Sequence, residues 1–240
     1  MHFLWEGLRQ GVQLILHGNS YIVQLTWVTI RVAAISTAVA SLLGLPLGLA
    51  LGLGRFRGRR VGLTLGNAGL ALPPVMLGLV LSLLMFPQAP LGGLHLLFTL
   101  NGVIVAQTLL AFPIVVALTA AAVQAVPAGL IAQARALGAG TRHVWLLALR
   151  EARVGVMAAV IAALGSALSE VGAVVLVGGN IEGSDQTLAS AALEQVDAGH
   201  FAQAMAIGIV LLGLILLLAG ALTVLQQRGT VARVRVRAPS

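Results

Sequence analysis

The sequence predicts an all-α, polytopic membrane protein with five transmembrane helices and an N-terminal amphipathic helix. Composition is the first reason: 9% of the 240 residues are charged, 59% are hydrophobic, and the mean hydropathy is +1.02. Soluble domains are about a quarter charged, so this chain lacks the polar surface to enclose a core of its size. Second, apolar stretches of about 20 residues, enough to cross a bilayer, recur five times. Third, the arginines cluster in alternate connections between those stretches.

Residues 1–20 read as a helix lying in the extracytoplasmic interface. Leu4, Leu8, Val12 and Ile15 share one face, and Glu6, Arg9, Gln10, Gln13 and His17 the other. The same face could equally pack on the rest of the chain. Glu6 and Arg9 interrupt the apolar core that a cleavable leader requires. The transmembrane domain covers 21–225, and a basic cytoplasmic tail, 226–240, follows. Its spans are Tyr21–Leu53, Val61–Phe86 (with Pro73-Pro74), Asn101–Val123 (with Pro113), Val154–Val177 and Phe201–Leu225.

Lysine and cysteine are absent, so arginine alone supplies the basic charge and thiol chemistry is excluded. Twelve of the 14 arginines fall in three groups: Arg55, Arg57, Arg59 and Arg60; Arg135, Arg142, Arg150 and Arg153; Arg228, Arg233, Arg235 and Arg237. Loops 87–100 and 178–200 contain none, and the second holds Glu182, Asp185, Glu194 and Asp197. Cytoplasmic loops are the arginine-rich ones, so the reading is N-terminus out and C-terminus in. The net charge of +7 is therefore a topology signal rather than a nucleic-acid footprint. The run at 55–60 reads as an anchor beside the lipid bilayer, and the Arg-Val-Arg-Val-Arg at 233–237 as a solvated tail.

The connection between spans three and four is too long for a simple turn. From about Gln124 to Arg153 it accommodates a helix opened by Pro127, a break at Gly138-Ala139-Gly140, and a second helix with Thr141 as N-cap. Leu130, Ala134 and Leu137 give this knob an apolar side, and Arg135, Arg142 and His143 a basic rim.

The run Ala132-Gln133-Ala134-Arg135-Ala136-Leu137-Gly138-Ala139-Gly140-Thr141 resembles the cytoplasmic loop of bacterial ABC importer permeases, whose pattern is Glu-Ala-Ala, three residues, then Gly. Ala132 stands where that pattern has Glu, Gln133 replaces its first Ala, and Arg150 stands where Pro usually follows Leu. Further runs resemble the tungstate-type oxyanion branch, related to molybdate permeases. They are Ala71-Leu72-Pro73-Pro74-Val75-Met76-Leu77-Gly78, Leu149-Arg150-Glu151-Ala152-Arg153, Ser169-Glu170-Val171-Gly172-Ala173-Val174 and Gly178-Gly179-Asn180-Ile181. The resemblance implies type I importer architecture in a bacterial or archaeal inner membrane. It implies a homodimer, two ATP-binding subunits and an extracytoplasmic solute-binding protein. The loop at 127–150 would then be the coupling element, with Arg135, Leu137, Gly138, Ala139, Thr141 and Arg142 at the ATPase contact.

No Gly-x-x-x-x-Gly-Lys-Ser/Thr loop exists, and a lysine-free chain cannot build one. ATP and its magnesium ion would therefore be bound by the partner, with no cofactor, metal cluster or catalytic residue expected in this chain. Candidate pathway or gate residues are Pro73, Pro74, Gln107, Thr108, Ser169 and Glu170. The prolines free backbone groups inside spans, which is tolerated where neighbours or cavity water satisfy them; a packing kink is the plainer reading. Gln107, Thr108 and Ser169 offer neutral donors to a dianion. Glu170 lies in the outer part of span four, about 24 Å from its inner start at 1.5 Å per residue. An ion pair with Arg31, a gate and a proton relay all remain open for it. A relay at Glu170 would make the protein an ion-coupled secondary transporter, the rival to an ATP-driven importer; a scaffold without transport is a further alternative.

Overall fold

A computed structural model of the chain describes residues 5, 9, 12–13 and 17–236, and all regular structure among them is helical. The predicted amphipathic helix lies mostly outside the described residues; Trp5, Arg9, Val12 and Gln13 are helical and exposed. Helix α1 spans Ser20–Leu53, with the Asn19 side chain accepting from the Tyr21 N–H at 2.9 Å to satisfy its first turn. At its other end Arg59 Nε donates to the Leu51 carbonyl at 2.7 Å, a cation on the negative end of the helix.

Helices α2 (Arg59–Leu70) and α3 (Pro74–Leu84) follow, and a 102° bend separates them. At 12 and 11 residues, each is about 17–18 Å long at 1.5 Å per residue, so neither crosses a bilayer alone. Their contacts nevertheless climb the bundle. Gly62 lies against Leu51, Gly69 against Pro113, Gly78 against Ala173, and Met85 beside Ala106 and Val177. The second predicted span is thus two helices, whose contacts run from the Leu51 end of α1 to the neighbourhood of Val177. Pro73-Pro74 break it outright rather than kinking it, because Pro74 opens a new helix for which the preceding residues supply no helical turn. Pro113, by contrast, sits inside the unbroken α4 (Leu100–Gln124), which Thr99 caps by accepting from the Gly102 N–H at 3.1 Å.

The remaining helices are α5 (Ala128–Ala136), α6 (Thr141–Ser169), α7 (Gly172–Gly178), α8 (Leu188–Asp197) and α9 (Phe201–Val236). Four helices, α1, α4, α6 and α9, are long and apolar enough to cross, and the broken α2–α3 pair is a fifth crossing if its two pieces together form one span. The predicted fourth span, Val154–Val177, is shifted. Its helix begins at Thr141 and ends at Ser169, so the second helix of the knob and the span are continuous. Gly140, not Thr141, is the N-cap. The apolar crossing stretch of α9 is Phe201–Val224, as predicted, and the helix continues beyond it through Val236.

Small residues bring α1 and α4 together. Gly44, Gly48 and Gly52 face Val115, Thr119 and Val123 at matching four-residue intervals. A Cβ on Gly48 would stand 2.7 Å from the Thr119 Cβ and 2.9 Å from the Val116 carbonyl oxygen. Gly48→Val is therefore expected to remove most folded, monodisperse protein in size-exclusion chromatography. Gly213→Val, where a Cβ meets nothing within 4 Å, should leave the elution profile unchanged.

The first two arginine groups, 55–60 and 135–153, lie at one end. There Leu49 and Val123 pack with Ala148 and Ala152, and Gln226 Nε2 of α9 donates to the Val154 carbonyl at 2.8 Å. At the opposite end Ile22 and Leu25 pack with Leu188, Ala191 and Ile207. Tyr21 Oη donates to Gln186 Oε1 at 2.8 Å, and Gln186 Nε2 donates to Glu194.

Candidate translocation junction and coupling surface

Two interrupted helices meet within the bundle. The first interruption is Ala71–Pro73, before α3; the second is Glu170-Val171, between α6 and α7. Contact at Gly172 sets them side by side, since a Cβ there would come 2.5 Å from Val75 Cγ2. One on Gly78 would lie 2.8 Å from the Ala173 Cα. Both glycines let two short helices approach backbone to backbone. Irregular backbone at membrane depth persists where protein or a water-lined cavity satisfies it, and paired discontinuous helices are a recurring basis for membrane transport sites.

Pro73 is the exposed N-cap of α3 and Pro74 its half-buried first residue. Glu170 is the extended C-cap of α6, half-buried, and its Oε1 accepts from the Ala173 N–H at 3.2 Å. It therefore caps the helix that follows it. The ion pair with Arg31, one of the three readings left open for Glu170, is not formed among the described residues: Arg31 is exposed on α1, and the Glu170 carboxylate is turned to the Ala173 N–H instead. Ser169 is exposed and donates to the carbonyls of Gly165 at 3.0 Å or Ser166 at 3.3 Å. Thr108 Oγ1 donates to the Ile104 carbonyl at 2.7 Å.

Gln107 is 1% exposed, between α1 and α4, with Ser36 Oγ 3.5 Å from its Oε1 and no acceptor for its Nε2. Pro73, Pro74, Ser169 and Glu170 thus gather at the two breaks, whereas Gln107 belongs to the α1–α4 seam. Because a glutamine amide preserves the acceptor that caps α7, Glu170→Gln is expected to keep thermal stability near wild type. Glu170→Ala should lose about 1 kcal/mol, the usual cost of a deleted cap. Equal melting curves for the two variants would refute the capping role.

The knob has a different character. No residue of α5 is buried, and Leu137 is 88% exposed, an apolar side chain with nothing over it. A Schellman turn closes α5: the Ala139 N–H bonds the Ala134 carbonyl and the Gly138 N–H bonds that of Arg135, both at 3.0 Å. Gly138 takes φ +86°, and a Cβ there would meet nothing within 4 Å. Conformation rather than space demands glycine. Arg135, Thr141 and Arg142 are exposed around the turn, and Ala139 is half-buried.

Several positions that shape this geometry escape the sequence reading. Gly78 and Gly172 looked like ordinary small residues, although Gly172 directly follows Glu170-Val171 and Gly78 is one turn beyond Pro74. Loop 178–200 was read only as an acidic connection, yet it contains α8 and the buried run Asp185-Gln186-Thr187. The capping pair Thr187 and Ser190 was the available signal.

Broken helices in mid-bundle and an uncovered helix–turn–helix knob are the architecture of a multi-pass membrane permease. The chain belongs to the family of binding-protein-dependent transport system inner membrane components, which its residues 44–231 match. It is 40% identical over 202 residues to a "Probable anion ABC transporter permease protein" of Haloferax volcanii, covering 82% of this chain and 87% of that one. It is 30% identical over 212 residues to the "Tungstate uptake system permease protein TupB" of Peptoclostridium acidaminophilum, covering 88% and 93%. Its fold is shared with an inward-facing MetNI methionine ABC transporter chain at a TM-score of 0.72 and 22% identity, over 88% of this chain and 97% of that one.

Proposed function

We propose that this permease carries an oxyanion, tungstate in the first instance and molybdate as the related alternative, into the cytoplasm in an ATP-driven importer. The uncovered knob carries the coupling half of this reading. An 88% exposed leucine at a rigid Schellman turn is an apolar surface suited to a groove on a separate subunit. The knob residues Arg135, Leu137, Gly138, Ala139, Thr141 and Arg142 form that contact. Similarity to the anion and tungstate permeases supports the substrate half.

The complex contains two copies of this chain, two ATP-binding subunits that bind ATP and magnesium, and an extracytoplasmic binding protein delivering substrate. Exposed apolar residues along α3, including Val75, Met76, Leu79, Val80 and Leu83, suit packing against a second copy. Between the copies, the α3–α7 breaks line the path. The first turn of a helix leaves N–H groups without intrahelical acceptors, and neutral donors suit a dianion whose charge a fixed cation would trap. ATP binding and hydrolysis in the partners bias two arrangements of the helices, and the junction opens to one side or the other.

The orientation places the arginine end inside. Cysteine replacing Gly58 should resist an impermeant thiol reagent in intact cells, and cysteine replacing Glu182 should react. Both positions are exposed, whereas Asp185 is buried and unsuited to labelling. Labelling of position 58 alone would reverse the orientation. The substrate is tested by reconstituting permease, ATPase and binding protein and measuring tungstate uptake against molybdate and sulfate. Preference for sulfate would overturn the substrate assignment.

A further inference from the structure

The turn joining α7 to α8 contains a buried carboxyl group that the transport mechanism above does not use. Asp185 is 0% exposed. Its Oδ1 accepts from the Ile181 N–H at 2.8 Å, closing the turn, while its Oδ2 is buried with no donor. A Cβ on Gly178 would stand 3.1 Å from the Asp185 Cγ. The carboxyl is thus seated under the last turn of α7, the negative end of that helix. Asn180 Oδ1, in the same turn, is likewise buried without a donor.

Neighbouring elements offer no compensating positive charge at this seat. Helices α4 and α7 contain no titratable residue. Tyr21 and Arg31 belong to α1, Glu182 to the turn, Glu194 and Asp197 to α8, and His95 to the α3–α4 connection. Of these, none makes an ion pair or hydrogen bond with Asp185 among the described residues, and Glu194 is engaged by Asn180 Nδ2 and Gln186 Nε2. An ionised carboxylate buried without a partner is far costlier than the neutral acid.

We propose that Asp185 is a proton-binding site: as the neutral acid it holds the 180–186 turn against the end of α7, and ionisation releases that turn. Burial pushes the Asp185 carboxyl above the ordinary carboxylate range, with only the Ile181 N–H opposing. A folded-state value above the unfolded one fixes the sign. The stabilisation is complete below the unfolded value and is lost as pH rises through the folded value. Because α7 begins at the Glu170-Val171 break, the proton would tie the turn to the translocation junction. The outward exposure of this turn rests on the orientation proposed above, so the test is made in detergent, where both faces meet one pH.

The thermal midpoint of the purified full chain should fall as pH is raised from below the ordinary aspartate value through the raised folded-state value. Asp185→Asn retains the acceptor for Ile181 and removes the titration. It should hold its acid-side midpoint across the range, and the infrared difference from wild type should contain the carbonyl stretch of a protonated acid at low pH. If Asp185→Asn folds poorly, that band, taken as the wild-type difference between acidic and alkaline buffer, still decides the matter: its absence overturns the site. Parallel pH profiles for the two proteins overturn it as well. Restoration of the alkaline wild-type midpoint by calcium or sodium, but not in the variant, would show that a metal cation occupies the seat and would also overturn it.

Discussion

Replacing Leu137 with aspartate is expected to abolish ATP-dependent uptake, with a loss of at least about tenfold, while leaving the permease fully folded. The side chain is 88% exposed at the end of α5 and contributes nothing to the bundle, so the charge costs the isolated chain little. At a docking surface it replaces an apolar contact with a desolvated carboxylate. The same logic separates the two demands on Gly138. Asparagine tolerates the left-handed conformation that φ +86° requires, so Gly138→Asn should keep the turn and much of the coupling. Gly138→Val should strain it by about 1–2 kcal/mol, and Gly138→Asp should keep the turn but place a charge at the contact. Co-purification of the ATPase with each variant, alongside uptake, reads both effects. Normal ATPase binding by Leu137→Asp and Gly138→Asp would remove the coupling assignment.

Gly78→Val is expected to have the second large effect, stopping transport with ATPase binding intact. Its Cβ would press within 2.8 Å of the Ala173 Cα, and backbone cannot yield as a flexible side chain can. The two short helices must then separate, and overpacking of this kind costs about 1–3 kcal/mol. The knob lies on α5 and the start of α6, remote from that contact, so co-purification should survive. Loss of ATPase binding together with transport would mean that the junction and the knob are not separable parts.

The sequence made the helical membrane architecture legible because lipid imposes a simple rule, about 20 apolar residues per crossing with arginine to one side. Among the described residues, the first two arginine groups lie at the same end of the bundle. The knob was also legible, because Gly138 and Gly140 between two short periodic runs end one helix and let the next begin. What hydropathy could not show was continuity. An apolar run looks alike whether its backbone is one helix or two, so the 102° break at Pro73-Pro74 read as a kink. The run through Glu170 read as one span, although the chain is extended there. Glu170 itself invited pairing with Arg31 because a charge in lipid needs a partner; the partner is a backbone N–H exposed by the break the sequence did not reveal. Close approaches such as Gly78 against Ala173 depend on neighbours distant in the chain, and no local pattern announces them.

Reconstitution decides whether this chain is the passive half of an ATP-driven oxyanion importer. Proteoliposomes containing the permease, its ATPase and its binding protein should accumulate tungstate only when ATP and magnesium reach the ATPase. Accumulation should persist when proton and sodium gradients are collapsed, and should vanish when any one protein is omitted. Tungstate uptake by the permease alone, driven by an imposed proton gradient and lost in Glu170→Gln, would contradict the account and identify an ion-coupled secondary transporter instead.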